Sequence, residues 1–131
     1  MPDLRIAAAN RADVRADGDF VLYWMIANRR MGWNFALQRA AEWARELGKP
    51  LLVLEALRCD YRWASDRLHA FVLRGMEENA ARCGQAGIGY HAYVEREKGA
   101  GRGLLEALAK QFQAMPFHGP IPKVKLFCPF N

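Results

Sequence analysis

A run of seven apolar residues, Phe20–Ile26 (FVLYWMI), leads directly into a polar, cationic loop and then into a helical pattern. With aromatic and β-branched members and no polar alternation, the run fits a strand buried on both faces. Such a strand needs helices on either side of its sheet, supplied by crossover connections. The loop that follows contains Asn28, Arg29, Arg30, Trp33 and Asn34. It therefore falls at the carboxyl end of the strand, where open parallel sheets bind their ligands.

The rest of the chain repeats this alternation. Ala36, Ala40, Ala44 and Leu47, with Leu37 and Ala41 beside them, predict a helix from about Asn34 to Leu47. Asn34 caps its start, while Gly48 and Pro50 end it. Leu51–Leu57 (LLVLEAL) is a second strand, interrupted near its end by Glu55, which is expected at the sheet edge where water or a ligand can solvate it. Ser65 is the predicted cap of a second helix, with Leu68, Phe71, Val72, Met76 and Ala80 as its apolar face and Gly84 and Gly87 as its end. Ile88–Val94 is a third strand, and Leu104, Leu105, Leu108 and Phe112 mark a third helix. Three strand–helix units in succession imply an α/β fold with a mostly parallel open sheet of four or five strands, crossed over in the right-handed sense. Val124–Cys128 is the candidate for the fourth strand, and Leu4–Ala9 for a short edge strand. Asp17 and Gly18 form a turn before the first strong strand.

At 131 residues the chain is expected to form one domain with a real core. The α/β unit is assigned to residues 1–110 and a divergent or truncated tail to 111–131, which holds four of the six prolines. No apolar run reaches the roughly 18 residues of a membrane span, and charges interrupt any apolar core of a signal peptide. The expected location is cytoplasmic. Cys59, Cys83 and Cys128 are odd in number and far apart, which argues against a disulfide framework and a zinc cluster. The formal charge of +5 suits an acidic partner such as DNA and equally a solubilising surface.

Several motifs read as structural. Gly99, Gly101 and Gly103 form G-x-G-x-G after the third strand, which differs from the dinucleotide fingerprint in both spacing and place, so they read as a turn into a helix. His69, His91 and His118 share no metal-ligand spacing, and no base stands near Cys59 or Ser65, so no metal ligand or catalytic residue is assigned. Asp60 and Asp66, among Arg58, Arg62 and Arg67, read as a salt-bridged loop and a helix cap. The candidate ligand-binding residues are Asn28, Arg29, Arg30, Trp33, Asn34 and Glu55. Two guanidiniums and an indole at a sheet mouth suit an anionic or aromatic ligand, and suit equally well the pinning of a second domain.

The segment from Gly18 to Met76 resembles the N-terminal α/β domain of class II DNA photolyases, and the likeness extends from about Arg5 to Leu108. Its most distinctive pieces are Val21–Met25 (VLYWM), Asn34–Leu37 (NFAL), Lys49–Pro50 and Tyr61–His69 (YRWASDRLH). Trp24, Arg30, Asn34, Ala36 and Leu37 also match the spacing of the first-strand motif across the wider photolyase and cryptochrome family. The resemblance implies a Rossmann-like domain that, in some members, holds an antenna chromophore, a deazaflavin or a folate. It implies FAD and the cyclobutane dimer lesion in a separate helical domain, outside these 131 residues. Trp24, Trp33, Trp43 and Trp63 are then not the tryptophans that reduce the flavin.

On that basis the expected partners are the FAD-binding catalytic domain and, through it, damaged DNA, with no membrane partner. The isolated chain is expected to be inactive in dimer splitting. Its tail departs from the family pattern, lacking an acidic residue after an apolar strand, which leaves the sheet short and its edge open to self-association. Two alternatives stand beside this reading: a free-standing module for a nucleotide or flavin-like ligand, and a structural remnant that binds nothing.

Overall fold

The computed structural model describes residues 19–111 and 125–127. The order of elements is β1 (Val21–Met25), α1 (Phe35–Glu46), β2 (Leu51–Leu57), α2 (Asp66–Gln85), β3 (Gly89–Val94), α3 (Leu104–Gln111) and β4 (Lys125–Phe127). The four strands form one sheet in the order β3-β2-β1-β4, and every pairing is parallel. This is the α/β class read from the sequence. The N-terminal candidate strand and the Asp17–Gly18 turn lie outside the described residues, as do Phe112 and His118.

Period-two alternation divides the sheet between two cores. Val21, Tyr23 and Met25 join Leu51, Val53, Leu37, Ala40, Ala44 and Cys83 on the face covered by α1 and α2. Phe20 and Leu22 join Leu52, Leu54 and Leu108 on the face covered by α3. The central strands β1 and β2 are buried on both sides, which explains why their sequences run nearly continuously apolar. The chain changes face between β3 and β4, so the strand order turns back between β1 and β4. The carboxyl end of β1 stands at this switch point.

Helix ends follow local chemistry. The Asn34 side chain accepts from the Leu37 N–H and the Ser65 hydroxyl from the Leu68 N–H, each capping its helix. At the other end of α1, Gly48 has φ +61; its N–H reaches the Arg45 carbonyl and the Lys49 N–H reaches that of Ala44. Gly87, at φ +66, repeats this double closure after α2 with the Gly84 and Cys83 carbonyls.

Helix α2 differs from its predicted form in two ways. Gly84 does not end it; the helix runs to Gln85 and closes at Gly87. Its buried residues are Met76, Asn79 and Cys83, while Phe71 is 75% exposed. The physical reason is Glu55: its buried carboxylate needs a donor from α2, and turning Asn79 inward turns Phe71 toward the flank.

Candidate functional site

The β1–α1 loop is tied to the sheet by a buried polar network. Tyr23, on β1, bonds through its hydroxyl to the Asn34 side chain. The Asn34 amide nitrogen also donates to the carbonyls of Asn28 and Arg30, each at 3.0 Å. One side chain thus caps α1, holds two loop carbonyls and anchors to the strand behind. Burial raises the Tyr23 phenol above its ordinary pKa, against a smaller lowering by its bond to Asn34.

The second half of the network is built around Glu55. It stands at the carboxyl edge of β2, as its position in the run implies, but it is 0% exposed rather than solvated. Arg29 reaches one carboxylate oxygen at 3.2 Å; Tyr90 and Asn79 donate to the other at 2.8 and 3.0 Å. Arg29 also donates to the Ala56 carbonyl, and Asn79 to the Arg29 carbonyl. A buried carboxylate is tolerable because an ion pair and two neutral donors replace its lost hydration. Burial, then the bond and negative charge of Glu55, push the Tyr90 phenol well above its ordinary range. Burial and the same carboxylate raise the Cys83 thiol to about 11.

The six candidate residues therefore divide in two. Arg29, Asn34 and Glu55 are committed to internal bonds and fix the loop. Asn28, Arg30 and Trp33 are exposed at its surface. Arg30 contacts the Trp33 carbonyl at 3.4 Å, which brings these two together. Trp33 is 86% exposed and has φ +52, a left-handed backbone that a bulky side chain rarely adopts. Tyr23, Asn79 and Tyr90 complete the network and are not among the residues the sequence pattern singles out. Only the apolar-stripe break at Asn79 hints at one of them.

The glycine loop contains an internal anion. Glu95, buried at the end of β3, accepts the N–H groups of Gly99 and Gly101 at 3.0 and 3.3 Å and that of Cys59 at 3.1 Å. These N–H bonds, that of Gly101 foremost, hold its pKa below the ordinary carboxylate range. The loop's donors face a side chain of the same protein, consistent with a structural turn. A Cβ at Gly101 would stand 3.3 Å from the Tyr93 ring, so the turn packs closely on β3. Asp60 pairs with Lys98 at 2.7 Å rather than with the arginines beside it in sequence, because the β2 and β3 loops adjoin at the same edge. His91 is part-buried, and desolvation lowers its pKa. Among the described residues no cluster of three or more His, Cys, Asp or Glu could hold a metal ion. No described helix is long and apolar enough to cross a membrane.

Over 93 residues, 71% of this chain, the sequence is 36% identical to the deoxyribodipyrimidine photo-lyase of Methanothermobacter thermautotrophicus. The chain is photolyase-like. The matched stretch spans 20% of that photolyase's length, so the two are alike over a part of the larger enzyme. No family model matches the sequence. The photolyase likeness agrees, at the level of photolyases as a whole, with the resemblance carried by the sequence blocks above.

Proposed function

We propose that this protein is the α/β module of a class II-type photolyase. In this reading the carboxyl edge of its sheet holds an antenna chromophore, a deazaflavin or a folate. The module supports a flavin-binding catalytic portion that splits cyclobutane pyrimidine dimers in DNA, in the cytoplasm. The single observation that carries the reading is the 36% identity to a photolyase over most of the chain. The block Tyr61–His69 supports its assignment to the class II branch, and Arg30 and Asn34 fit the motif of the wider photolyase and cryptochrome family.

The exposed residues of the β1–α1 loop have the chemistry to fit such a group. Trp33 offers an indole face for a planar ring, Arg30 a cation for an anionic substituent and Asn28 an amide for a polar ring edge. Arg29, Asn34 and Glu55 hold that surface in place without facing the ligand. A bound antenna supplies light absorption and passes the energy to a flavin. The chain's own part is to fix the ring's position on a preorganised loop.

Titration of the purified protein with a deazaflavin and with a folate, followed by absorbance and fluorescence, tests the antenna role. Saturable binding of one of them, weakened at least tenfold by W33A together with R30A, is expected. Absence of binding by both would overturn the antenna role. Blue-light illumination of the isolated chain with dimer-containing DNA is expected to give no repair.

A further inference from the structure

Helix α2 carries a feature that its own fold leaves unexplained. Phe71 is 75% exposed, and Trp63, in the loop that feeds the helix, is 71% exposed. Gly75 follows Phe71 by four residues, so the two lie one turn apart on the same flank. A glycine in the interior of a helix lowers stability relative to alanine by about 1 kcal/mol, and with no side chain it leaves room for a close neighbour. Yet a Cβ built at Gly75 meets nothing within 4 Å among the described residues. A projecting ring beside a notch is the shape by which one helix receives another at short distance. Arg67 and Arg74, both exposed, border the same flank.

We infer that the Phe71–Gly75 flank of α2 is a docking surface for a helix from the larger remainder of a photolyase-length protein. This rests on the photolyase reading above. Four fifths of the matched photolyase lie beyond the stretch that this chain resembles, so such a partner would be larger than the module it covers. The partner helix would set a small, apolar face against Gly75, receive the Phe71 ring beside it, and place carboxylates opposite Arg67 and Arg74. A nucleic-acid strand would use the arginines and the rings but has no need of the notch, so Gly75 favours a helix.

The experiment compares each variant in two proteins. One is the 131-residue chain. The other is the archaeal photolyase carrying this chain's residues in place of its own matched stretch. In the isolated chain Gly75→Ala is expected to raise the melting temperature by about 2 °C, since it improves helix propensity in open space. Phe71→Asp is expected to leave that temperature within about 1 °C, because the ring is exposed there. In the chimaera both substitutions are expected to lower it, by about 3 °C or more. Reversal of sign for Gly75→Ala between the two proteins supports the docking surface. A flavin-loaded chimaera whose melting temperature shifts as the isolated chain's does would overturn the docking surface and leave the photolyase reading standing. A chimaera that loads no flavin overturns both. Loss of DNA affinity on Phe71→Asp in the isolated chain, without the sign reversal, assigns the flank to nucleic acid instead.

Discussion

Arg29 and Glu55, 26 residues apart in sequence, meet with Nη1 3.2 Å from Oε1, and this pair fastens the β1–α1 loop to the carboxyl end of β2. The carboxylate is fully buried and the guanidinium largely so. Truncation of one partner leaves the other charged and unmatched in a site of low polarity, which costs far more than the pair's net contribution. Glu55→Ala also removes the acceptor of Tyr90 and Asn79. The expected loss is about 3 kcal/mol or more in denaturant unfolding. Faster hydrogen exchange in the loop around Arg29 is expected to accompany it. A loss below about 1 kcal/mol would mean that water takes over the network.

The network also explains which parts of the fold were legible in the sequence. The seven residues of β2 stand where the apolar run placed them, and the Asn34 and Ser65 caps are local chemistry visible within four residues. Glu55 is different. Its partners Asn79 and Tyr90 are 24 and 35 residues away, and only the β2–α2–β3 crossover brings them together. A polar residue inside a strand reads as solvated unless its partners are known. The rotation of α2 has the same origin, since a stripe drawn through apolar residues alone leaves out the asparagine that is buried in place of Phe71. Glu95 lay equally hidden, as nothing local marks a carboxylate before a glycine turn as the turn's own anion.

Alkaline titration tests the burial around Glu55. Tyr23 and Tyr90 have pKa values raised above 10, and Cys83 is raised from 9 to about 11. For each group the protonated form is the one the fold favours. The contribution is therefore complete below the unfolded-state value and is lost as pH rises toward the folded-state value. For Cys83 that window runs from about pH 9 to about pH 11. The unfolding midpoint is expected to fall across it, and Cys83→Ala to flatten the fall. Among the chain's four tyrosines, Tyr23 and Tyr90 are expected to give tyrosinate absorbance only as the protein unfolds. Y23F and Y90F are each expected to remove part of that late step. A smooth titration of all four near pH 10 in folded protein would contradict the buried network.

Acid acts at the same carboxyl edge of the sheet through Glu95, just past the end of β3. Its pKa is depressed, so its contribution is present above the unfolded-state value of about 4.5 and is lost as pH falls through the lower folded-state value. Protonation weakens its hold on the Gly99, Gly101 and Cys59 N–H groups together. Glu95→Gln is expected to speed amide exchange at Gly99 and Gly101 at neutral pH. It is also expected to reduce the acid dependence of stability below about pH 4.5. Unchanged exchange at both glycines in the variant would show that another group orders the turn.

Trp33 tests whether strain in the loop serves binding. Its left-handed backbone, at φ +52, costs on the order of 1 kcal/mol relative to glycine at the same position. With 86% of the residue exposed, little packing offsets that cost. Trp33→Gly is therefore expected to hold or raise stability, by up to about 1 kcal/mol in chemical unfolding. Trp33→Ala keeps the strain and loses the ring, and is expected to remain near the wild type. Both are expected to weaken chromophore binding alike if the indole supplies the stacking face. A Trp33→Gly protein that is stabilised and still binds a deazaflavin or folate as the wild type does would remove Trp33 from the ligand surface. A Trp33→Gly protein destabilised by more than about 1 kcal/mol would show that the indole packs in solution against more than the loop around it.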